Sequence, residues 1–587
     1  MPTLHWIGKD KVVNHHAEVP FRVLEHKYGY RGDNPSDTSE THSGNKIIHG
    51  DNLEALKALL PEYEGRVDCV YIDPPYNTGN EGWVYNDNVN DPHIRKWLGE
   101  VVGAEGEDLS RHDKWLCMMY PRLRLLHQLL SPKGVICISI DDNELYNLKQ
   151  ICDEVFGASC FVANVSWQRT YSMRNDSKGI PSEIEHVLVY SKQLQWEPLS
   201  LPRTAEMDRN YKNPDKDVKG DWQNTSAFAP AAATHQGMVY AIQHPFTGEL
   251  IYPTMSACWR YSQENMLEYM TGWTAYKLED LHDDAKRAEI CGVSAEEVKK
   301  NIPAIILSKP LTEAKKEAQT VYKEGNWPRF FFTSGGKGGI RRKTYLSGLK
   351  GKKATNFWSF TEVGHTDEAK KELISIFGGK APFDTPKPVR FIDRILSIAT
   401  NKDSIILDSF AGSGTTAHAV MKKNKEDKGQ RKFILVELMD YAESITAERI
   451  RRVIKGYGEG KKAVEGLDGS FDYYELGSPL FNEDGNLNEE VGIGKMREYI
   501  YYTETHDYLT SQQTVDYPYL LDYKDGTGYF FYYEPNEITT LSYDTLNIVP
   551  KTADHYVIYA DICTISKEQL AQLNITFKKI PRDINRF

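Results

Sequence analysis

The sequence lacks several features that would define whole classes of protein. It has no apolar run approaching the roughly 20 residues that a membrane-spanning helix needs, and its first residues lack the long apolar segment of a secretory signal. Its eight cysteines are scattered, mostly within apolar strings, and show no C-x-x-C spacing, which is typical of reduced proteins without a disulfide framework or a zinc site. We therefore expect a cytoplasmic protein that uses neither a membrane nor a bound metal.

The chain also lacks an excess of basic charge. Its 71 Lys and Arg residues are outnumbered by 83 Asp and Glu residues, which leaves a formal net charge of -12. That balance excludes a uniformly basic protein that coats nucleic acid, so any contact with nucleic acid must be local. At 587 residues the chain is too long for one compact core, and we expect it to divide into several folding units.

Strands and helices alternate in two separate stretches, and this alternation predicts an α/β fold. The first stretch runs from Lys46 to about Lys192, and the second runs from Pro388 to Glu437. Alternation of this kind is typical of a mostly parallel, doubly wound sheet with a Rossmann-like arrangement. The polar stretch 28–45 predicts a loop, and the long irregular, aromatic and glycine-rich sequence between the two stretches predicts an insert.

These changes of character predict five segments. The sequence beyond Gly458 becomes tyrosine-rich and acidic, with β-type composition and a return to helix near residues 567–573, which indicates a separate α+β domain. The predicted segments are an N-terminal extension at 1–45, the two parts of one α/β domain at 46–195 and 383–458, the insert at 196–382, and a C-terminal domain at 459–587.

A glycine turn in the second stretch is a candidate ligand site. Residues 408–416, DSFAGSGTT, lie between an Ile/Leu strand and a helix, where backbone N–H groups and the helix dipole can meet a nucleotide-like ligand. The G-x-G spacing lacks both the third glycine of dinucleotide sites and the lysine of triphosphate loops. Glu437 ends the next strand, where a carboxylate can accept hydrogen bonds from ribose hydroxyls. Together these features favour adenosine binding over a simple tight turn.

A second motif, Asp73-Pro74-Pro75-Tyr76, follows a predicted strand in the first stretch. The two prolines stiffen an extended backbone that cannot continue the ladder of the sheet. An exocyclic amine placed there could donate hydrogen bonds to Asp73 and to the Pro74 carbonyl while its ring stacks on Tyr76. The motif therefore predicts a slot the size of a nucleobase, in preference to a strand that merely ends in a Pro-Pro turn.

The two motifs together resemble those of S-adenosylmethionine-dependent amino methyltransferases of DNA. The resemblance is carried by DPPYNTG at 73–79 and LDSFAGSGTT at 407–416. Because the first motif precedes the glycine turn, with the insert between them, the order resembles that of the circularly permuted beta class, in which the insert is the target-recognition domain. HGDNLEAL, TYSMRNDSKGIPSEIEHVLVYSK, DTPKPVRFIDRIL and ITFKKIPRDI further resemble segments of the modification subunit of type III restriction-modification systems.

This resemblance implies a seven-stranded sheet and a set of residue roles. Asp73 and the Pro74 carbonyl would orient the N6 amine of a target adenine, beside Pro75, and Tyr76 would stack on the flipped base. The cofactor would be S-adenosylmethionine, with no metal, and double-stranded DNA, a second copy of the chain and a separate ATP-dependent restriction subunit would be the partners. The residues implied to bind the cofactor are Asp51, Lys387, Pro388, Asp408, Phe410, Gly412, Gly414, Thr415 and Glu437.

Part of the insert is locally basic. The segment 332–353 contains seven basic residues and no carboxylate in an otherwise acidic chain, which favours a loop that grips DNA phosphates over a solvated basic face. The predicted DNA-binding residues are Lys337, Arg341, Arg342, Lys343, Lys350, Lys352 and Lys353. The four tryptophans Trp222, Trp259, Trp273 and Trp327 are instead predicted to form the core of the insert.

The sequence as a whole predicts adenine N6 methylation in a specific double-stranded DNA sequence, by the modification and recognition subunit of a type III system. Three alternatives remain open: a stand-alone methyltransferase, methylation of another planar amine such as cytosine N4, an RNA guanine or a protein glutamine, and a recognition module with a vestigial site. A fused nuclease is disfavoured because we find no carboxylate-lysine cluster on a strand.

Overall fold

The computed structural model describes residues 3–6, 8–78, 108–171, 180–510, 517–549 and 553–586. The chain divides into two compact units, a first unit made of Met1–Leu199 and Lys353–Phe587 and a second unit made of Ser200–Lys352. The second unit thus ends well before residue 382, where the predicted insert ends. Residues 459–587, predicted as a separate domain, belong to the first unit.

Ten strands form the central sheet of the first unit. Their order across the sheet is β1-β10-β2-β9-β8-β3-β4-β6-β5-β7, so strands that are far apart in the chain lie side by side. In chain order the strands are β1 (Arg22–Arg31), β2 (Lys46–His49), β3 (Val67–Ile72), β4 (Leu130–Ile140), β5 (Phe161–Gln168), β6 (Ile184–Ser191), β7 (Phe357–Trp358), β8 (Ile405–Asp408), β9 (Lys432–Glu437) and β10 (Ser470–Pro479).

Six neighbouring strands of this sheet, from β10 to β4, are mutually parallel. The predicted α/β fold with a mostly parallel sheet is therefore confirmed, although the sheet has ten strands where the resemblance implied seven. Because parallel strands run in one direction, the carboxyl ends of β2, β9, β8, β3 and β4 meet at one edge. Strand β6 is antiparallel to β4, with Ile140 opposite His186, so β6 begins at that same edge.

Six of the helices described in the first unit flank its central sheet. The helix that follows β2 begins after Asp51, whose carboxylate accepts a hydrogen bond from the Leu53 N–H at 2.8 Å, and buries Leu56 and Leu59 against the core. The amphipathic helix before β8 buries Phe391 and Ile395 in the same way. In chain order they are α1 (Asn52–Tyr63), α2 (Asp108–Leu129), α3 (Leu145–Cys152), α4 (Val389–Ala399), α5 (Thr415–Asp427) and α6 (Glu448–Lys455).

Two local predictions from the sequence are wrong. The stretch 28–45 was predicted to be a loop, with the ordered domain starting at Lys46, but its first residues belong to β1, which pairs antiparallel with β10. The stacking of Tyr28 on Tyr473, with ring centroids 5.1 Å apart, stabilises this pairing. The sequence Ser131-Pro132-Lys133-Gly134 also predicts a break between a helix and the strand after it, whereas β4 begins at Leu130 and passes through this segment. In both places the pairing partner, which is remote in sequence, overrides the local turn signal.

The second unit has its own aromatic core, and Trp222, Trp259 and Trp273 are buried in it as predicted, with Trp327 packed against it. Small sheets of two to four strands surround this core. The strands are Trp222–Ser226, Phe228–Pro230, Ile242–Gln243, Leu250–Ile251, Ala257–Trp259, Tyr276–Glu279, Ala304–Leu307, Phe330–Phe332 and Ile340–Tyr345, and the helices are Ala205–Asp208, Gln263–Met270, Asp284–Cys291 and Leu311–Glu324.

The remaining part of the first unit follows β10. Four strands, Leu520–Lys524, Thr527–Phe531, His555–Ala560 and Ile575–Lys579, form a smaller sheet, and the helices Ile493–Thr505 and Lys567–Gln572 accompany it. The last of these helices confirms the prediction near residues 567–573. Among the residues that the structure describes, no helix combines the length and the apolar character needed to cross a membrane.

Candidate active site

The sheet brings the two motifs together. Strand β3 ends directly before Asp73, and strand β8 leads into the glycine turn. These strands are neighbours, with Leu407 opposite Val70, so the segment 73–76 and the turn 408–416 lie side by side at one edge of the sheet. The amide of Asn52, on α1, donates to the Ser409 carbonyl at 3.1 Å and ties a third strand end to the turn.

A polar cluster surrounds Asp73. The Lys387 ammonium donates to both carboxylate oxygens of Asp73, at 2.9 and 2.7 Å, and to the Tyr76 hydroxyl oxygen at 2.9 Å. The Tyr76 hydroxyl lies 2.8 Å from Asp73 Oδ1 and 3.1 Å from Glu185 Oε2. A second cation, Arg169, donates to Glu185 Oε1 at 2.8 Å. Two carboxylates are therefore matched by two cations around one tyrosine hydroxyl.

Buried contacts also fix the backbone on either side of Tyr76. The indole N–H of Trp115, on α2, donates to the Pro75 carbonyl at 2.7 Å. The amide of Asn77 donates to the carboxylate of Glu144, which is fully buried and lies 2.6 Å from His112 Nδ1. The prolines and these contacts together restrict the conformation of residues 74–77. Gly79, the last residue of the DPPYNTG motif, lies outside the described residues.

The two carboxylates of the cluster differ in their acidity. Burial raises the pKa of Asp73, and the opposing effect of Lys387 does not bring that pKa back to its usual value. Burial also raises the pKa of Glu185, but the positive charges of Lys387 and Arg169 lower that pKa by more than burial raises it. The pKa of Glu185 therefore lies below the usual range. Burial lowers the pKa of Lys387, whereas Asp73 and Glu185 raise it above its usual value. Lys387 is therefore charged at neutral pH.

The glycine turn adopts a conformation that requires its glycines. Gly412 and Gly414 have φ angles of 50° and 77°, in the left-handed region that residues with a Cβ rarely adopt. A Cβ at Gly412 would also lie 3.2 Å from the ring of Phe383. Within the turn, the Phe410 N–H and the Thr416 hydroxyl donate to the Asp408 carboxylate at 3.1 and 2.5 Å. The turn is thus closed by its own side chains.

Glu437, at the end of β9, joins the turn to the neighbouring strand. Its carboxylate accepts hydrogen bonds from the Gly412 N–H at 2.7 Å and from the Met439 N–H at 3.1 Å. Burial raises the pKa of Glu437 to about 7 and that of Asp408 to about 7. No Lys or Arg among the described residues forms an ion pair with either carboxylate. Both groups can therefore serve as hydrogen-bond acceptors for hydroxyls.

Arg449, on α6, forms hydrogen bonds with side chains of the glycine turn. This residue was not identified from the sequence. Its guanidinium is buried and donates to Ser413 Oγ at 2.9 Å and to Thr415 Oγ1 at 2.8 Å. Glu185 and Arg169 were also missed as members of the Asp73 cluster. A charged residue at the head of an apolar strand, as at Glu185, is the signal that could have identified one of them.

The structure places the remaining predicted cofactor residues in different surroundings. The Asp51 carboxylate caps α1 and lies 3.3 Å from a guanidinium nitrogen of Arg122, and Pro388 is the N-cap residue of α4. The side chain of Phe410 is buried in the core. Lys387, also predicted to bind the cofactor, contacts Asp73, Tyr76 and Glu185.

The predicted DNA-binding residues differ in exposure, and one of them needs a correction. Lys337, Arg341 and Lys350 are exposed in the second unit, Arg342 and Lys352 are partly buried there, and Lys353 is exposed at the start of the adjoining segment of the first unit. Lys343 is fully buried and pairs with the carboxylates of Asp215 and Asp217, the latter at 2.6 Å. Its charge is neutralised inside the unit, so we remove Lys343 from the predicted DNA-binding set.

Comparison with known proteins identifies a family for most of this architecture. The profile of a family described as DNA methylase matches residues 67–448. That range includes Asp73, Glu185, Lys387, the glycine turn and Glu437, and also the whole second unit.

Individual relatives agree with this match. Over 467 residues the chain is 32% identical to the StyLTI Mod subunit of a type III restriction-modification enzyme from Salmonella typhimurium, covering 75% of this chain and 61% of that protein. It is 30% identical to the EcoPI Mod subunit from Escherichia phage P1, covering 74% and 63% of the two chains. The chain therefore spans less than two thirds of the length of these relatives. Among solved structures, the cytosine-N4-specific PvuII DNA methyltransferase has a TM-score of 0.30 and 12% identity, covering 69% of this chain and 86% of the other.

Proposed function

The chain belongs to the DNA methylase family, and we propose that it transfers a methyl group from S-adenosylmethionine to the N6 amine of adenine in a specific double-stranded DNA sequence. The observation that carries this proposal is the position of the Asp73 cluster at the end of β3, directly beside the glycine turn at the end of β8. A carboxylate that accepts hydrogen bonds from an amine, and an adenosine-binding turn on the neighbouring strand, can align the amine and the methyl donor for direct transfer.

The residues of the turn suit S-adenosylmethionine. Asp408 and Glu437 are acceptors without a cationic partner among the described residues, and the hydroxyl of the buried Ser409 has no hydrogen-bond partner among them. The ribose hydroxyls would donate to Glu437, and Gly412 and Gly414 would allow close approach to the backbone. The bound cofactor would supply a methyl group carried by a positively charged sulfur. This methyl group is activated because a neutral thioether is a good leaving group.

Asp73 and the Pro74 carbonyl would hold the amine for attack. Both are hydrogen-bond acceptors, so they orient the two N–H bonds and direct the nitrogen lone pair toward the glycine turn. Transfer would form an N–C bond as the C–S bond of the cofactor breaks and leaves a neutral thioether. The positive charge would pass from the sulfur to the amine nitrogen, where the Asp73 carboxylate would stabilise it. One amine proton is then released to solvent. Tyr76 would stack on the adenine ring, worth about 1–3 kcal/mol for a base on an aromatic side chain.

An adenine in duplex DNA exposes too little of its amine for this arrangement, so the proposal includes base flipping. Extrusion costs a few kcal/mol, which the stacking on Tyr76 and the hydrogen bonds to Asp73 would offset in part. Lys337, Arg341, Arg342, Lys350, Lys352 and Lys353 would bind DNA phosphates and contribute to recognition.

The wider assembly follows the names of the relatives, which are Mod subunits of type III restriction-modification enzymes. We propose that this chain acts as such a modification and recognition subunit, as a homodimer, with a separate restriction subunit that uses ATP. The segment 459–587 is the proposed site of contacts with the second copy or the partner.

Replacement of Asp73 by alanine tests the proposal. Asp73→Ala is expected to abolish methyl transfer, because the amine loses its charged acceptor, while S-adenosylmethionine binding stays close to wild type. Transfer of tritiated methyl to unmethylated phage DNA measures the first quantity, and calorimetry measures the second. Asp403→Ala, at an exposed carboxylate outside the segment 459–587, is the matched control and should retain full activity.

Digestion of the treated DNA to nucleosides identifies the product by mass spectrometry. N6-methyladenine supports the proposal, whereas N4-methylcytosine would establish the alternative product. Methyl transfer by Asp73→Ala at the wild-type rate would show that the amine site is assigned to the wrong residue.

A further inference from the structure

Glu185 reaches the active site from a strand that runs against its neighbour. Strand β6 pairs antiparallel with β4, so the first residues of β6 lie at the edge where the parallel strands end. Glu185 is only 5% exposed there. Its position near the end of the parallel strand β3 follows from topology, because residues 73 and 185 are far apart in the chain.

Each oxygen of the Glu185 carboxylate has a defined partner. Oε1 accepts a hydrogen bond from Arg169 at 2.8 Å. Oε2 lies 3.1 Å from the Tyr76 hydroxyl and 3.4 Å from the Lys387 ammonium. Lys387 in turn contacts both oxygens of Asp73. One cation thus bridges the two carboxylates, while the other anchors Glu185 alone.

This arrangement separates the tasks of the two carboxylates. Asp73 directly follows β3 and precedes the proline-stiffened segment, where the proposed function places the amine, whereas Glu185 is occupied by Arg169, Lys387 and Tyr76. Lys387 also lies 5.1 Å from the centre of the Tyr76 ring. The ammonium therefore helps to fix the positions of both Asp73 and Tyr76, and Glu185 with Arg169 fixes the ammonium.

We infer that Glu185 is a positioning residue for methyl transfer, which holds Lys387 and Tyr76 so that the Asp73 carboxylate keeps one orientation toward the target amine. This inference rests on the proposed function, and it assigns to Glu185 no direct contact with the substrate.

The charges around Asp73 supply a readout that a purely structural role would not change. Burial raises the pKa of Asp73, Lys387 lowers it, and the negative charge of Glu185 raises it again. The other groups that face this pair are Tyr71 and Tyr76, whose own pKa values burial raises well above the usual value, together with Asp408 and Asp141. Replacement of Glu185 by a neutral isostere therefore lowers the pKa of Asp73.

The experiment compares Glu185→Gln in the 587-residue chain with wild type over a range of pH on unmethylated phage DNA. We expect kcat to fall by about 100-fold, as for other losses of alignment in an active site, with KM for DNA and the Kd for S-adenosylmethionine nearly unchanged. The acid limb of the kcat profile should move to lower pH, because Asp73 stays ionised further into the acid range. Glu183→Gln, two residues earlier in the chain, is the control and should leave both kcat and the acid limb unchanged.

A second variant, Glu185→Asp, tests the inference if Glu185→Gln does not fold. Glu185→Asp keeps the charge but shortens the side chain, so its acid limb should stay at the wild-type pH while its kcat is reduced. If the wild type is active, an unchanged kcat or an unmoved acid limb in Glu185→Gln overturns the inference alone. An unchanged kcat in Glu185→Asp does the same. An inactive wild type that binds S-adenosylmethionine overturns the proposed function and, with it, the inference.

Discussion

Two buried carboxylates beside the glycine turn, Asp408 and Glu437, hold their charge less readily than carboxylates in water. Burial disfavours the charged form, and the donors that bond to these carboxylates, namely backbone N–H groups and the Thr416 hydroxyl, are neutral. The pKa of each is accordingly raised to about 7. A ligand that donates hydroxyls to these groups should therefore favour their ionised forms.

The resulting prediction concerns the pH dependence of cofactor binding. Below pH 7 Glu437 is mostly protonated, and binding of ribose hydroxyls to the ionised form must first remove that proton. We expect the Kd for S-adenosylmethionine to fall several-fold as the pH rises from 6 to 8, as measured by calorimetry at constant ionic strength.

Replacement of Glu437 provides the control for this dependence. Glu437→Gln should bind S-adenosylmethionine more weakly and with a smaller dependence on pH, and some dependence should remain because Asp408 titrates in the same range. A Kd that is constant from pH 6 to 8 in the wild type would contradict the proposed role of Glu437 in binding the ribose.

At the scale of one element, the hairpin of the strands Phe330–Phe332 and Ile340–Tyr345 uses its basic residues in two ways. Pairing of this second strand with Trp222–Ser226 places Lys343 opposite Asn224, where its ammonium meets Asp215 and Asp217 inside the unit. Lys337 and Arg341 remain exposed on the same hairpin. Basic side chains of one short segment are thus paired inside the unit in one case and exposed, at the proposed DNA-binding positions, in the other.

Two lysine substitutions should separate these uses. Lys343→Met leaves two buried carboxylates without their cation and is expected to lower the free energy of unfolding by about 3–5 kcal/mol. Lys337→Met should change that free energy by less than about 0.5 kcal/mol, as is usual at exposed sites, yet weaken DNA binding and reduce its salt dependence by about one phosphate contact.

Chemical denaturation and DNA binding at several salt concentrations measure these two effects. Unchanged stability in Lys343→Met would contradict the buried ion pairs. An unchanged salt dependence in Lys337→Met would remove Lys337 from the proposed DNA-binding set.

At the scale of the whole molecule, the two ends of the second unit lie next to each other. Leu201 and Lys352 form an antiparallel bridge, with a hydrogen bond of 2.8 Å in each direction between their backbones. The chain therefore enters and leaves the second unit at adjacent positions. A unit with adjacent ends and a core of its own can be inserted without breaking the sheet that receives it.

Excision of the second unit tests this organisation. A chain in which residues 200–352 are replaced by a short glycine-rich linker should fold, unfold cooperatively and bind S-adenosylmethionine with near wild-type affinity, because the glycine turn, Glu437 and Arg449 all lie in the first unit. Methylation of DNA should be lost with the proposed recognition residues. Loss of cofactor binding in a folded excision variant would contradict the independence of the first unit.

Long-range pairing explains where sequence reasoning failed for the fold. The alternation of strands and helices predicted the parallel part of the sheet, and the strand predicted to end at Glu437 is β9. Strand β1 was missed because its stability depends on β10, which begins at residue 470. Local patterns report only local conformational preference, whereas the pairing of edge strands depends on partners that no window of sequence contains.

At the candidate site, too, local sequence patterns predicted some features, and others depend on contacts between residues that are remote in the chain. The sequence by itself determined the chemistry of the two motifs, because prolines, glycines and strand-terminal carboxylates restrict backbone conformation and hydrogen bonding wherever they occur. Only the tertiary structure decided that Lys387 contacts Asp73, that Glu185 and Arg169 complete the cluster, and that Lys343 is buried. Those contacts join residues from separate strands and loops, and the order of strands in the sheet, together with burial, sets their distances and charges.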